Sequence, residues 1–189
     1  RPSLLEGEAT HRAIVLSKVA GNVPLYIVHM SASEALNSLA EARHEGMNVF
    51  GETCPQYLYM TLEDHLARPG FEGAKFVCSP PIRSKNDHHD HHADLWKGLR
   101  MNELAVVSTD HCPFNDEQKS RGLEDFSLVP NGQPQIQHRL AKLWDELRIM
   151  CDPLLAGESV DFDASEDWLA SFIDVPDSGY QPRNADDRI

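Results

Sequence analysis

Short apolar runs that alternate with helix-spaced segments constrain this chain more than any other feature. Leu25-Tyr26-Ile27-Val28-His29-Met30 follows Pro24 as a continuous, β-branched and aromatic stretch, the pattern of a strand buried on both faces. Asn48 to Thr53 reads as a second strand closed by Cys54-Pro55, Ala74 to Cys78 as a third closed by Ser79-Pro80-Pro81, and Leu104 to Thr109 as the cleanest of all, stopping at Asp110. Between them lie helical patterns. Residues 9 to 20 end at Gly21-Asn22, and Ser31-Ala32-Ser33-Glu34 fits a capping box ahead of Leu36, Leu39 and a stop at Gly46. Residues 93 to 101 form a short helix, and a longer one after Gly132 runs to about Met150, with Trp96 and Trp144 in apolar stripes that read as core. Strands alternating with helices predict βα units around a parallel sheet.

At 189 residues the default is one globular unit, and about four visible strands are too few for an eight-stranded barrel, which needs about 250 residues. Residues 1–150 carry the α/β pattern. Residues 151–189 read as a loosely ordered acidic tail, since 152 to 189 hold ten acids against two bases. The opening Arg1-Pro2-Ser3 has neither an initiator Met nor a signal-like apolar run, and looks like the middle of something. A formal net charge of −13 argues against nucleic acid and anionic membranes as partners. No stretch approaches the roughly 20 apolar residues of a membrane span. Four cysteines without a Cys-x-x-Cys pair suggest a reducing, cytoplasmic setting.

In parallel α/β architectures the carboxyl ends of the strands line the active face. His29 and Asp110 both terminate strands there. Imidazole and carboxylate are usual ligands for Zn²⁺ or Mn²⁺, although a lone strand-end His is more often structural and an Asp before a loop more often a cap. Adjacent His111 and Cys112 point to opposite faces of an extended segment, which disfavours a thiol-imidazole pair. Glu52 reads as a buried, hydrogen-bonded strand-end carboxylate. The run His88-His89-Asp90-His91-His92 reads as a solvated surface insertion, with adventitious metal capture as the alternative.

Six ordered motifs then carry a resemblance. They are Val28-His29-Met30-Ser31, Gly51 to Leu58, Phe71 to Lys75, Ser79-Pro80-Pro81-Ile82-Arg83, Ser108 to Phe114 and Val129-Pro130-Asn131-Gly132. Together with Glu6 to Thr10 they resemble the bacterial-type dihydropyrimidinases and D-hydantoinases of the amidohydrolase superfamily, over roughly residues 1 to 150. The resemblance implies part of a metal-dependent (β/α)₈ TIM barrel, about its last three βα units, and hydrolysis of cyclic amides. It also implies a binuclear Zn²⁺ centre most of whose ligands have no counterpart here. By resemblance His29 is a metal ligand, Asp110 is a metal ligand and proton shuttle, and Ser79 and Asn131 hold the substrate's amide through backbone groups. The partners implied are a small cyclic amide and, in the parent enzyme, copies of itself. Two rivals are a non-catalytic interaction protein related to the collapsin response mediators and an allantoinase-like hydrolase. His29 and Asp110, with their enzyme-type flanks, favour catalytic ancestry over the first.

Overall fold

A computed structural model describes residues 1–155. Its centre is a three-stranded parallel sheet in the order β1 (Leu25–Ile27), β2 (Val49–Thr53), β3 (Val106–Val107). Register pairs Ile27 with Gly51 and Thr53 with Val107, so all three strands finish at one end. The α/β expectation holds.

Helix α1 (Ser3–Val19) precedes β1, and α2 (Ser33–His44) links β1 to β2. The short α3 (Pro55–Tyr59) starts on a proline, whose fixed φ suits the first helical position. Helix α4 (His91–Arg100) precedes β3, and α5 (Asp116–Lys119) and α6 (Ile136–Leu155) follow it. Helix α2 lies at the middle, against α1, α4 and β2. Its Ala35, Leu36 and Leu39 are buried, joining Val49, Leu95 and Leu104 in one core. The α1–α2 approach is so close that a Cβ on Gly7 would sit 2.6 Å from the Glu34 Cβ, which makes glycine the fitting residue there.

Several local expectations change. Residues 74 to 78 form no strand: Glu72–Phe76 is a 3₁₀ turn, whose Phe76 ring packs edge-on to His65 at 5.1 Å and beneath the Arg68 guanidinium at 4.9 Å. The capping box at Ser31 is absent, because Ala32 is the N-cap and Ser31 bonds Glu6 instead. Strand β1 is only partly buried, with Tyr26, and Val28 just beyond it, about half exposed. Trp96 packs against the core as expected, but Trp144 is 63% exposed, on the outer stripe of α6 with Ile136 and Leu140. Helix α6 runs on to Leu155, and of the expected tail, residues 151–189, the part from 156 onward lies outside the described residues. Among the described residues no helix is long and apolar enough to cross a membrane.

Candidate active site

The carboxyl ends of the three strands are laced together. Met30 N donates to Glu52 O at 2.7 Å, the Thr53 hydroxyl to Met30 O at 2.7 Å, and Ser108 N to Thr53 O at 2.9 Å. Glu52 is half-buried and accepts from the Tyr26 and Ser108 hydroxyls at 2.7 and 2.8 Å, close to its expected structural role. Burial, with the bond to Glu52 second, pushes the Tyr26 phenol up to about 12.

His29 leaves this rim two residues after β1, and Asp110 three residues after β3. Both hold left-handed backbone, φ 41° and 44°, a conformation uncommon outside glycine and seen at sites where a side chain is re-aimed. One strand separates theirs, so the strand axes lie roughly 10 Å apart. His29 is half-buried and Asp110 exposed.

Ser79 and His29 line one cavity of about 240 Å³, together with Glu6, Pro80, Pro81 and Arg83. The Ser79 hydroxyl accepts from Arg1 at 2.6 Å. Asn131 lies on a segment fastened to both neighbours: Gly132 N donates to Val77 O at 3.0 Å, and Cys112 N to Gln133 O at 3.1 Å. Gly132, at φ 150°, leaves no room for a side chain, since a Cβ would fall 2.4 Å from Cys112 O. Asp110 adjoins this segment, because His111 next to it bridges to Gln133. Burial, as the main cause, and the Asp110 charge both raise the thiols of Cys54 and Cys78, to about 12 and about 11. The structure thus brings His29 and Ser79 to one cavity, and Asp110, Ser79 and Asn131 to adjoining segments of one rim.

His111 and Cys112 make no nucleophilic pair. The His111 ring turns to α6, where Nδ1 accepts from Gln135 N at 3.0 Å and Ile136 N at 3.2 Å, while Cys112 is a free, exposed thiol. The histidine run is a solvated insertion only in part. His91 is 2% exposed: its Nδ1 accepts from Ser33 N at 3.1 Å, capping α2 from another helix, and its Nε2 meets Asp87 at 3.2 Å. His92 Nε2 donates to Met60 O. Ser33, His91 and Asp87 have the order of a hydrolytic triad, but Ser33 is fully buried and no substrate reaches it.

Arg83 and Glu6 are the pair that the sequence did not disclose. The guanidinium donates to Glu6 at 2.5 Å, to the Ser31 hydroxyl at 3.0 Å and to Arg1 O at 2.8 Å, with side chains only 7% and 15% exposed. This network ties α1, the segment after His29 and the segment after Ser79 together. A lone arginine after Pro80-Pro81-Ile82 was its one sequence signal.

Among the described residues no group of three or more His, Cys, Asp or Glu is placed to hold a metal ion. His29 and Asp110 supply an imidazole and a carboxylate, the right donor types, but two donors do not complete a centre.

No family model matches the chain. Individual relatives do. The D-hydantoinase of Streptomyces coelicolor is 59% identical over 141 residues, 74% of this chain and 29% of the relative. That of Geobacillus stearothermophilus is 46% identical over 147 residues, 77% and 30%. The chain belongs to the D-hydantoinase and dihydropyrimidinase family. Among solved hydantoinase-family structures, the dihydropyrimidinase from Brevibacillus agri NCHU1002 superposes with a TM-score of 0.67 at 49% identity, covering 72% of this chain and 28% of that one. The chain therefore spans under a third of the length of these relatives.

Proposed function

We propose that this chain forms the C-terminal third of the (β/α)₈ barrel of a cyclic-amide hydrolase of the dihydropyrimidinase or hydantoinase type, opening a ring carbon-nitrogen bond. One observation carries the reading: His29 and Asp110 leave the same end of one parallel sheet, one strand apart and both with left-handed backbone, beside the Ser79 and Asn131 segments. The hydantoinase names of the relatives support the reaction class. They favour neither the interaction-protein nor the allantoinase alternative.

His29 and Asp110 would serve as ligands of a metal pair, Zn²⁺ as the family resemblance implies, completed by ligands from outside these residues. Such a pair supplies, when bound, a nucleophile near neutral pH and polarises the ring carbonyl. Asp110 would accept the nucleophile's proton and deliver it to the departing ring nitrogen, as an exposed carboxylate on a fixed backbone can. The backbone of Ser79 and Asn131 would orient the planar amide edge, with little demand on the ring substituent. The Glu6–Arg83 network would hold the His29 and Ser79 segments in mutual register. Free thiols at Cys54, Cys78 and Cys112 support a reducing, cytoplasmic setting, and the family resemblance supports self-association of the parent enzyme.

A chimera tests this. Residues 1–150 replace the matching segment of the Streptomyces coelicolor D-hydantoinase, and hydantoin ring opening is followed. Ring opening is the expected result; a folded chimera that binds metal and leaves hydantoin intact contradicts the reading.

A further inference from the structure

Lys119 is a buried cation for which the proposed chemistry has no use. It closes α5 at 2% exposure, and its ammonium donates to three carbonyl oxygens: Val77 at 2.9 Å, Pro130 at 2.6 Å and Gly132 at 3.1 Å. An ammonium has three protons, so its donor capacity is filled. The Phe114 ring lies 5.6 Å from the same nitrogen. Burying a charge without a carboxylate is costly, and burial pushes this lysine below its ordinary pKa. Three charge-assisted hydrogen bonds offset that cost only while the carbonyls converge.

Their positions along the chain give the convergence a purpose. Val77 stands two residues before Ser79, and Pro130 and Gly132 flank Asn131. A trans peptide is planar, with its N–H and C=O on opposite sides. Because Lys119 draws the Pro130 carbonyl inward, the Asn131 N–H on the same peptide points away from the lysine. Because Gly132 N donates to Val77 O, the Asn131 carbonyl on that peptide points away from Val77. Neither backbone group of Asn131, an exposed residue, therefore faces the lysine or Val77.

We propose that Lys119 is a positioning residue, a three-way clamp that sets the orientation of the Asn131 backbone and fixes its separation from the Ser79 segment. Its consequence for substrate rests on the role proposed above for Ser79 and Asn131; the clamp itself does not.

Two measurements separate these. In the 189-residue protein, backbone amide exchange reports the clamp: Lys119→Met accelerates exchange at Gly132 roughly tenfold or more, while buried amides of α2 and β2 change little, and Lys119→Arg restores part of the protection. Unchanged Gly132 exchange in a folded Lys119→Met protein overturns the proposal. If that variant does not fold, the wild-type ammonium is read directly by nitrogen-resolved NMR. Slow proton exchange at the Lys119 nitrogen supports the clamp, and free exchange with water overturns it. In the chimera, Lys119→Met raises KM for hydantoin by about tenfold with kcat changed much less, the signature of lost positioning. An unchanged KM overturns the link to substrate, whereas a wild-type chimera without activity defeats the substrate reading and leaves the exchange result to decide the clamp.

Discussion

Arg83 holds Glu6 at 2.5 Å across 77 residues of sequence, and the Ser31 hydroxyl lies between them, accepting from the guanidinium and donating to the carboxylate. Both side chains are nearly out of water. Removing one partner leaves the other buried and uncompensated. Arg83→Met is expected to destabilise the protein by about 3–5 kcal/mol, and the double variant Arg83→Met/Glu6→Leu to recover much of that, as buried pairs replaced together often do. Urea midpoints of the two singles and the double, closed as a cycle, check it. A double variant no better than Arg83→Met would show that the network acts through something other than paired charge.

Helix α2 borrows its cap. With Ala32 at the N-cap, the Ser33 N–H has His91 Nδ1 as its acceptor, and His91 is held from behind by Asp87. His91→Ala removes the acceptor and leaves a buried donor, a loss of about 1–3 kcal/mol. Amide exchange should quicken at Ser33 while α6 stays as it was.

The three described thiols should differ sharply in reactivity. Cys112 is exposed, whereas burial raises Cys54 to about 12 and Cys78 to about 11, so at pH 8 only about one in ten thousand Cys54 groups is thiolate. Mapping of alkylated peptides should find Cys112 modified first, with Cys54 and Cys78 reacting only on unfolding. The sign for stability follows from linkage. Folded Cys54 keeps its proton above the ordinary thiol value of 9.0, so its contribution is complete below about pH 9 and is lost as pH rises towards 12.

On its own the 189-residue protein should open hydantoin weakly or not at all, because two donors cannot fix a metal pair. Tyr26 on β1 and Val28 just after it, and Ile136, Leu140 and Trp144 on α6, lie open to water. Sedimentation should therefore show mass rising with concentration. A monodisperse monomer at high concentration would argue against that.

What the sequence disclosed and what it hid follow from the range of the forces involved. Strands β1, β2 and β3 were legible because each is a short apolar run stopped by a polar residue at the rim, and the strand-end positions of His29 and Asp110 were legible for the same reason. Residues 74 to 78 have strand-like composition, yet Gly73 packs where a Cβ would meet Leu66 O at 2.1 Å, and Phe76 is held by His65 and Arg68. Tertiary contact overrode propensity there. The local capping pattern at Ser31 failed because its true partners, Glu6 and Arg83, lie 25 and 52 residues away. Lys119 gave no signal at all: a lysine in a polar stretch reads as solvated until the Val77 and Pro130 carbonyls fold around it. Trp144 misled for a different reason. Its apolar stripe is real, but none of the described residues covers it.

In the mechanism proposed for ring opening, Asp110 moves the proton from a rim that it shares with His29. Steady-state hydantoin hydrolysis by the chimera, with and without Asp110→Asn, tests it most directly. Loss of kcat on the order of 10²-fold or more with the fold retained is the expected result, as for removal of a general acid and base. An Asp110→Asn chimera that turns over at the parent rate would contradict it.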